Sequence, residues 1–93
     1  MFYFYILKCK DSSLYCGSAK DLVTRELMHN SGKGSTYVRS RGGGKIVYHE
    51  KFRKWGSALK REAAVKKWPR NKKLELVKNH EYGQSLGRSK RKI

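Results

Sequence analysis

Acidic residues, cysteines and long apolar runs are all scarce in this 93-residue chain. Its two cysteines, Cys9 and Cys16, are too few for a disulfide framework or a four-ligand zinc site, and they predict reduced thiols in a cytoplasmic protein. The longest apolar run, at 2–7, is far shorter than the ~20 residues that span a bilayer. It also lacks a basic segment before it and a small-residue cleavage site after it, which excludes a signal peptide.

Positive charge is what the chain has in excess. The 23 Lys and Arg outnumber the seven Asp and Glu, so the formal net charge is +16. So many uncompensated charges on one small domain repel one another and favour a polyanionic partner. We therefore predict a nucleic acid as the partner, DNA first, with no membrane association. Charge alone does not distinguish an enzyme that acts on nucleic acid from a protein that only binds it.

A β-hairpin is predicted at the start of the chain. Residues 2–9 and 14–18 are rich in aromatic and branched side chains, and the Asp-Ser-Ser sequence between them is typical of a turn. A three-residue loop at 11–13 pairs Lys10 with Leu14. In that register the odd-numbered residues of both strands, several of them tyrosines, lie on one face of the sheet.

One further strand and three helices are predicted after the hairpin. The glycine-rich segment 31–44 is interpreted as a long surface loop, and residues 81–93 as a basic flexible tail that follows a single domain at 1–80. The order β-β-α-β-α-α indicates an α+β fold in which helices flank a three-stranded antiparallel sheet. The predicted elements are a helix at 22–30 capped by Asp21, a strand at 45–50, and helices at 56–67 and 70–78.

Among the few carboxylates, Glu62 has an unusual position. At ~100° per residue it lies inside the apolar arc of its predicted helix, between Val65 and Leu59. A carboxylate in that position needs a cation or a metal as its partner. Lys66, one helical turn later, offers an ion pair that lets both side chains reach solvent, and a metal is the alternative.

Arg25 and His29 lie four residues apart on one face of the helix at 22–30. A guanidinium at that position suits bidentate binding of a phosphate, and an imidazole suits proton transfer. The alternative is that both side chains belong to a solvated helix face.

In their order and spacing these residues resemble the GIY-YIG nuclease superfamily, and within it the small stand-alone, UPF0213-like members. The resemblance covers roughly residues 2–78. Phe4-Tyr5-Ile6 stands at the first motif and Leu14-Tyr15-Cys16-Gly17 at the second. Arg25 and His29 follow at the family's spacing, and residues 60–67 resemble its glutamate-bearing helix.

The resemblance implies a metal-dependent endonuclease that hydrolyses phosphodiester bonds in DNA, single-stranded or branched substrates included, with one Mg²⁺ or Mn²⁺. Carried over by position, Tyr5 and Tyr15 flank the attacking water, and Tyr5 acts as the general base. Arg25 stabilises the phosphorane charge, His29 assists the proton network and Glu62 holds the metal. We expect the metal, Arg25 and neighbouring lysines to favour the phenolate form of Tyr5.

Two other function classes remain open, namely a non-catalytic nucleic-acid-binding domain on the same scaffold and a basic RNA-associated protein. In the nuclease interpretation we expect a monomer that finds its substrate through its loop and tail, through a partner protein or through nucleic-acid shape. Tyr37 is expected to stack on an unpaired base. The predicted nucleic-acid-binding residues are Lys20, Lys33, Tyr37, Arg39, Arg41 and Lys66.

Overall fold

Three strands form one antiparallel sheet in the computed structural model, which describes residues 1–79. The strand order is β2-β1-β3, so β2 and β3 are the two edges. The elements are β1 (Phe2–Cys9), β2 (Leu14–Ala19), α1 (Leu22–Asn30), α2 (Thr36–Ser40), β3 (Gly44–Phe52), α3 (Trp55–Lys66) and α4 (residues 70–79). The predicted α+β class and strand arrangement are confirmed, and the predicted tail at 81–93 lies outside the described residues.

The hairpin register differs from the predicted one by two residues. Leu14 pairs with Lys8, and not with Lys10. The loop still has three residues but spans 10–12, because Ser12 adopts a left-handed conformation with φ of 72° and the Ser13 carbonyl accepts from the Cys9 amide at 2.8 Å. A shift of two residues keeps every side chain on its predicted face, so the shared face of the tyrosines is confirmed.

Helix α1 lies across the sheet and is anchored to β3. Asp21 caps its start, as predicted. At its end, the Asn30 side chain accepts from the Gly44 amide and donates to the Gly44 carbonyl, both at 2.9 Å. Between these ends, Glu26 Oε2 accepts from the Ile46 amide at 2.7 Å. These bonds fix one side of α1 against β3. The side that carries Arg25 and His29 faces β2 and β1, where Arg25 contacts Ser18 and His29 contacts Tyr5.

The central strand β1 is buried on both sides, because its alternate residues belong to two separate cores. We call the sheet surface under α3 and α4 the α3 face, and the opposite surface, under α1 and α2, the α1 face. The core of the α3 face contains Phe4, Ile6, Cys16, Tyr48, Val65 and Val77. The core of the α1 face contains Tyr5, Leu7, Cys9, Ala19 and Val38.

The segment 31–44, predicted as a long loop, contains the short helix α2. The Ser35 side chain caps this helix by accepting from the Tyr37 amide at 3.1 Å, and Val38 is fully buried. Glycines with positive φ lie on both sides of α2 and conceal it in the sequence. In residues 1–79, no helix is long and apolar enough to cross a membrane.

Candidate active site

Side chains from opposite faces of the sheet meet at the edge strand β2. Ser18, a buried residue of this strand, donates from Oγ to Glu62 Oε1 of α3 at 2.7 Å. Its carbonyl oxygen accepts from Arg25 Nη1 of α1 at 3.4 Å. One serine therefore brings a carboxylate and a guanidinium together. Ser18 was not among the predicted site residues, although its position directly after the second motif is a usable signal.

Glu62 lies in the partly buried position that the helical geometry predicted, with 18% of its side chain exposed. Its Oε2 is 2.8 Å from Lys66 Nζ, so the predicted (i, i+4) ion pair is present. The hydrogen bond that Lys66 donates to this carboxylate raises the pKa of Lys66. Both oxygens of Glu62 thus have a partner within the protein.

A second pair, Tyr5 and His29, lies on the α1 face beside this meeting point. Both side chains are buried, and Tyr5 Oη is 2.8 Å from His29 Nε2. The Ser35 amide donates to His29 Nδ1 at 3.4 Å, which assigns the ring proton to Nε2 and makes Nε2 the donor to Tyr5. Burial, with a smaller effect of Arg25, lowers the pKa of His29, so the ring is neutral at pH 7.

Burial decides the protonation of Tyr5. It raises the pKa of Tyr5 to about 12, and the nearby Tyr15 adds to the rise, as does the charge of Glu62. Arg25 opposes these effects but does not overcome them. Arg25 therefore favours the phenolate, as expected, but its effect is smaller than the desolvation of the anion, so the net effect of the protein's own groups is a raised pKa of Tyr5.

Two glycines provide the space that this pair occupies. A Cβ on Gly17 would lie 2.5 Å from Tyr5 Oη, so the tyrosine ring covers the bare backbone of β2. A Cβ on Gly34 would overlap His29 Nδ1. Gly17 belongs to the second motif, whereas Gly34 was interpreted only as part of a flexible loop. Its contact with a buried ring cannot be recognised from composition.

The comparisons with known proteins agree with this geometry. A family model described as the GIY-YIG catalytic domain matches residues 1–75. This chain belongs to the GIY-YIG family. It is 48% identical over 75 residues to a UPF0213 protein of Staphylococcus saprophyticus, covering 81% of this chain and 92% of that one. It is 49% identical over 77 residues to a UPF0213 protein of Clostridium perfringens, covering 83% of each.

A solved structure shows a similar fold. The solution NMR structure of a UPF0213 protein from Bacillus halodurans is 42% identical to this chain and covers 84% of both chains, with a TM-score of 0.53. The family resemblance inferred from the motifs is thereby confirmed.

In this GIY-YIG domain, the five residues predicted for catalysis and metal binding form one cluster. Tyr15, Arg25 and Glu62 all influence the pKa of Tyr5, and the His29 ring lies 5.3 Å from the ring of Tyr15. The cluster contains residues of β1, β2, α1 and α3, which are far apart in sequence. Its members are therefore brought together only by the fold.

A divalent cation at Glu62 would have one carboxylate from the protein. Within residues 1–79 there is no group of three or more His, Cys, Asp or Glu side chains that could hold a metal ion. Mg²⁺ retains most of its water and often binds proteins through one or two carboxylates together with substrate phosphates. Each carboxylate oxygen of Glu62 has more than one lone pair, so the residues present fit such a cation.

The predicted nucleic-acid-binding residues of this domain divide into two groups. Lys20, Lys33 and Arg39 are exposed. Arg41 is instead held within the protein, with its guanidinium 3.8 Å above the Tyr37 ring and Nε 3.3 Å from Asp11 Oδ2. Tyr37, whose ring is also 5.8 Å from that of Tyr15, therefore has one face covered by Arg41. Lys66 contacts Glu62, as described above.

Proposed function

We propose that this protein is a metal-dependent endonuclease that hydrolyses phosphodiester bonds in DNA. The observation that carries the proposal is the convergence of Arg25 and Glu62 on Ser18, next to the Tyr5–His29 pair. Binding of a polyanion by a protein of net charge +16 does not require a partly buried carboxylate. Metal-dependent phosphodiester hydrolysis uses a carboxylate that holds the metal ion, a positive charge that stabilises the transition state and a group that accepts a proton from water.

Arg25 supplies the positive charge for the transition state. Its guanidinium is half-buried and is oriented by the Ser18 carbonyl, so it needs little reorganisation to donate to a phosphate oxygen. A preorganised donor of this kind is worth more in a site of low dielectric constant than in water. Arg25 therefore binds the scissile phosphate and stabilises the charge that develops on it.

Tyr5 accepts the proton of the attacking water, and His29 holds Tyr5 in place for this step. The Nε2 proton of His29 and the Arg25 guanidinium both favour negative charge on Tyr5 Oη. The phenolate is a minor species at neutral pH, because burial raises the pKa of Tyr5 to about 12. Tyr15, which is half-buried beside the pair, orients the water.

Glu62 holds the divalent cation, with Ser18 fixing the orientation of the carboxylate through Oε1. Bound Mg²⁺ or Mn²⁺ supplies Lewis-acid polarisation of the scissile phosphate and neutralises part of its charge. The exposed basic side chains Lys20, Lys33 and Arg39 contact the flanking phosphates. Such contacts carry no sequence information, so recognition would depend on the shape of the nucleic acid. We propose single-stranded or branched DNA as the substrate class. We further propose a monomer that can be targeted by a partner protein.

Incubation with labelled single-stranded, duplex and branched DNA tests the proposal, in Mg²⁺, Mn²⁺ or EDTA. We expect metal-dependent cleavage that Glu62→Gln lowers at least ~10²-fold, since loss of a metal ligand removes several kcal/mol of transition-state stabilisation. Binding of DNA by this variant should be intact or tighter, because a negative charge is removed from a basic surface.

The matched control is Glu50→Gln, which makes the same carboxylate-to-amide change at a different glutamate of the α3 face. Glu50 is bound by Arg61 and Tyr48, so this variant should unfold more easily but cleave normally once folded. Tight binding of all three DNAs without metal-dependent cleavage would instead favour the non-catalytic binding domain.

A further inference from the structure

Lys66 occupies the oxygen of Glu62 that Ser18 does not use. Ser18 Oγ is 2.7 Å from Oε1, and Lys66 Nζ is 2.8 Å from Oε2. The two side chains differ in their access to solvent, with 18% of Glu62 exposed and 51% of Lys66. The ammonium group can therefore leave the carboxylate for solvent without any rearrangement of the core, whereas Ser18 is buried and cannot.

The other glutamate–cation pair between a strand and α3 is of a different kind. Arg61 binds Glu50 with two parallel hydrogen bonds, Nε to Oε1 at 2.9 Å and Nη2 to Oε2 at 3.0 Å. Such a fork fixes both partners. An ammonium is a compact, strongly hydrated point charge on a flexible stem, so its single contact with Glu62 is easily exchanged for another anion.

Charge explains why the exchange would depend on nucleic acid. The Glu62–Lys66 pair has no net charge, and a divalent cation added beside it would face a neighbouring ammonium. A DNA phosphate that attracts the ammonium removes this repulsion and brings its own negative charge to the site. Lys66 contacts the same carboxylate that Ser18 links to Arg25, so its ammonium lies at the site where we propose that Arg25 binds a phosphate.

Building on the proposed function, we propose that Lys66 exchanges partners when DNA enters the site, leaving Glu62 Oε2 for a backbone phosphate and so opening Glu62 to the divalent cation. In the free protein Lys66 positions the carboxylate and keeps the cation out. In the complex Lys66 is a phosphate ligand. DNA and the cation consequently bind with positive coupling, and the coupling is reciprocal.

The first test measures Mn²⁺ binding to the protein without nucleic acid, by electron paramagnetic resonance of the free ion. We expect Lys66→Gln to bind Mn²⁺ about tenfold more tightly than the wild type, within the usual range of coupling between sites. Lys67→Gln removes the same charge from the next residue, which is exposed and has no side-chain contact with Glu62, and should change the affinity by less than about twofold. Lys66→Arg offers a fork to the carboxylate and should bind Mn²⁺ more weakly than the wild type.

The second test measures the reciprocal effect by fluorescence anisotropy of a short labelled single-stranded DNA, with Ca²⁺ or with EDTA. Gel analysis of the DNA after each titration checks that it is intact. We expect Ca²⁺ to tighten DNA binding about tenfold in the wild type and in Lys67→Gln, and clearly less in Lys66→Gln, where only the attraction between Ca²⁺ and the phosphate remains. Circular dichroism of each variant checks that it is folded.

The two proposals fail in different ways. Equal Mn²⁺ affinities and equal Ca²⁺ effects in Lys66→Gln and Lys67→Gln would overturn the exchange of partners. Mn²⁺ affinity that is unchanged in Glu62→Gln would show that Glu62 is not the metal ligand, which overturns the proposed metal site itself. Loss of Mn²⁺ binding in Glu62→Gln together with tighter binding in Lys66→Gln supports both.

Discussion

Two buried tyrosines on opposite faces of the sheet have the same raised pKa, about 12, in very different surroundings. On the α3 face, Tyr48 donates to Glu50, which in turn is held by both nitrogens of the Arg61 fork. On the α1 face, Tyr5 meets His29 at 2.8 Å and lies next to Arg25. The hydroxyl of Tyr48 donates a hydrogen bond to a carboxylate that Arg61 also binds, whereas the oxygen of Tyr5 lies among groups that donate to it.

The difference shows why a raised pKa alone does not identify a catalytic residue. Burial is the largest cause at both tyrosines, but the second cause differs. At Tyr48 the second cause is its hydrogen bond to Glu50, whose negative charge is already compensated by Arg61. The charge of Glu62 contributes to the raised pKa of Tyr5, so neutralising Glu62 lowers that pKa and leaves Tyr48 unaffected.

The largest effect that separates the two faces should come from removing each hydroxyl in turn. Tyr5→Phe should lower the single-turnover cleavage rate by at least ~10²-fold, the lower range for losing a general base. Tyr48→Phe leaves the Glu50–Arg61 pair without its third member, so it should cost about 1 kcal/mol of unfolding free energy and leave cleavage unchanged. Urea unfolding curves and cleavage rates of the same preparations check both halves.

Tyr15→Phe is the control within the α1 face. A severe loss of cleavage in Tyr15→Phe combined with normal cleavage in Tyr5→Phe would reverse the roles assigned to these two residues. Normal cleavage in both variants would mean that the tyrosines only pack.

The pH dependence of cleavage should also distinguish Tyr5 from Tyr48, by a smaller effect than the loss of each hydroxyl. Because the pKa of Tyr5 is about 12, its phenolate fraction rises about tenfold per pH unit between pH 7 and 9.5, and the cleavage rate should rise with it. His29 adds no inflection there, since burial lowers its pKa from 6.5 and its protonation weakens cleavage only below that value. Tyr48→Phe should keep the rising profile.

Cleavage rates at saturating DNA, measured across this pH range, test the assignment. The residual activity of Tyr5→Phe should lose the slope. A wild-type rate that is constant from pH 7 to 9.5 would exclude, as the base, a Tyr5 whose pKa stays at about 12 during cleavage.

Local signals in the sequence were sufficient for most of the fold. Asp21, as a capping residue, predicted α1 with its observed ends, and the alternation of β1 and β2 predicted which tyrosines share a face. The hairpin loop was misplaced because a serine at position 12 gives no sign of its positive φ. Helix α2 was missed because it has five residues and depends on the burial of Val38 for its stability.

The site was predictable in its members but not in its electrostatics. The helical periodicity predicted that Glu62 lies in an apolar arc and that Lys66 is its partner, because residues three or four apart lie on the same face of a helix. Ser18 has its role through a contact across 44 residues, and its position directly after the second motif is its one signal in the sequence. Gly34 has its role through close packing against the buried His29 ring, which composition does not report. The direction of the Arg25 effect on Tyr5 was predicted correctly, but the larger effect of burial was not, since nearby charges can be read from the sequence and the depth of burial cannot.

The smallest expected effect concerns exposed lysines on the two sides of the molecule. Lys33 is exposed next to Gly34, which packs against His29, and we expect it to contact a DNA phosphate. Lys72 is exposed on α4, where its ammonium lies 5.9 Å from the Trp68 ring. Each phosphate contact releases counterions, so Lys33→Gln should reduce the slope of log affinity against log salt by ~0.7–0.9, while Lys72→Gln should leave it unchanged. Binding isotherms over a salt series measure both slopes. Equal reductions would mean that the +16 charge attracts DNA from all sides, with no preference for the surface that carries Lys33.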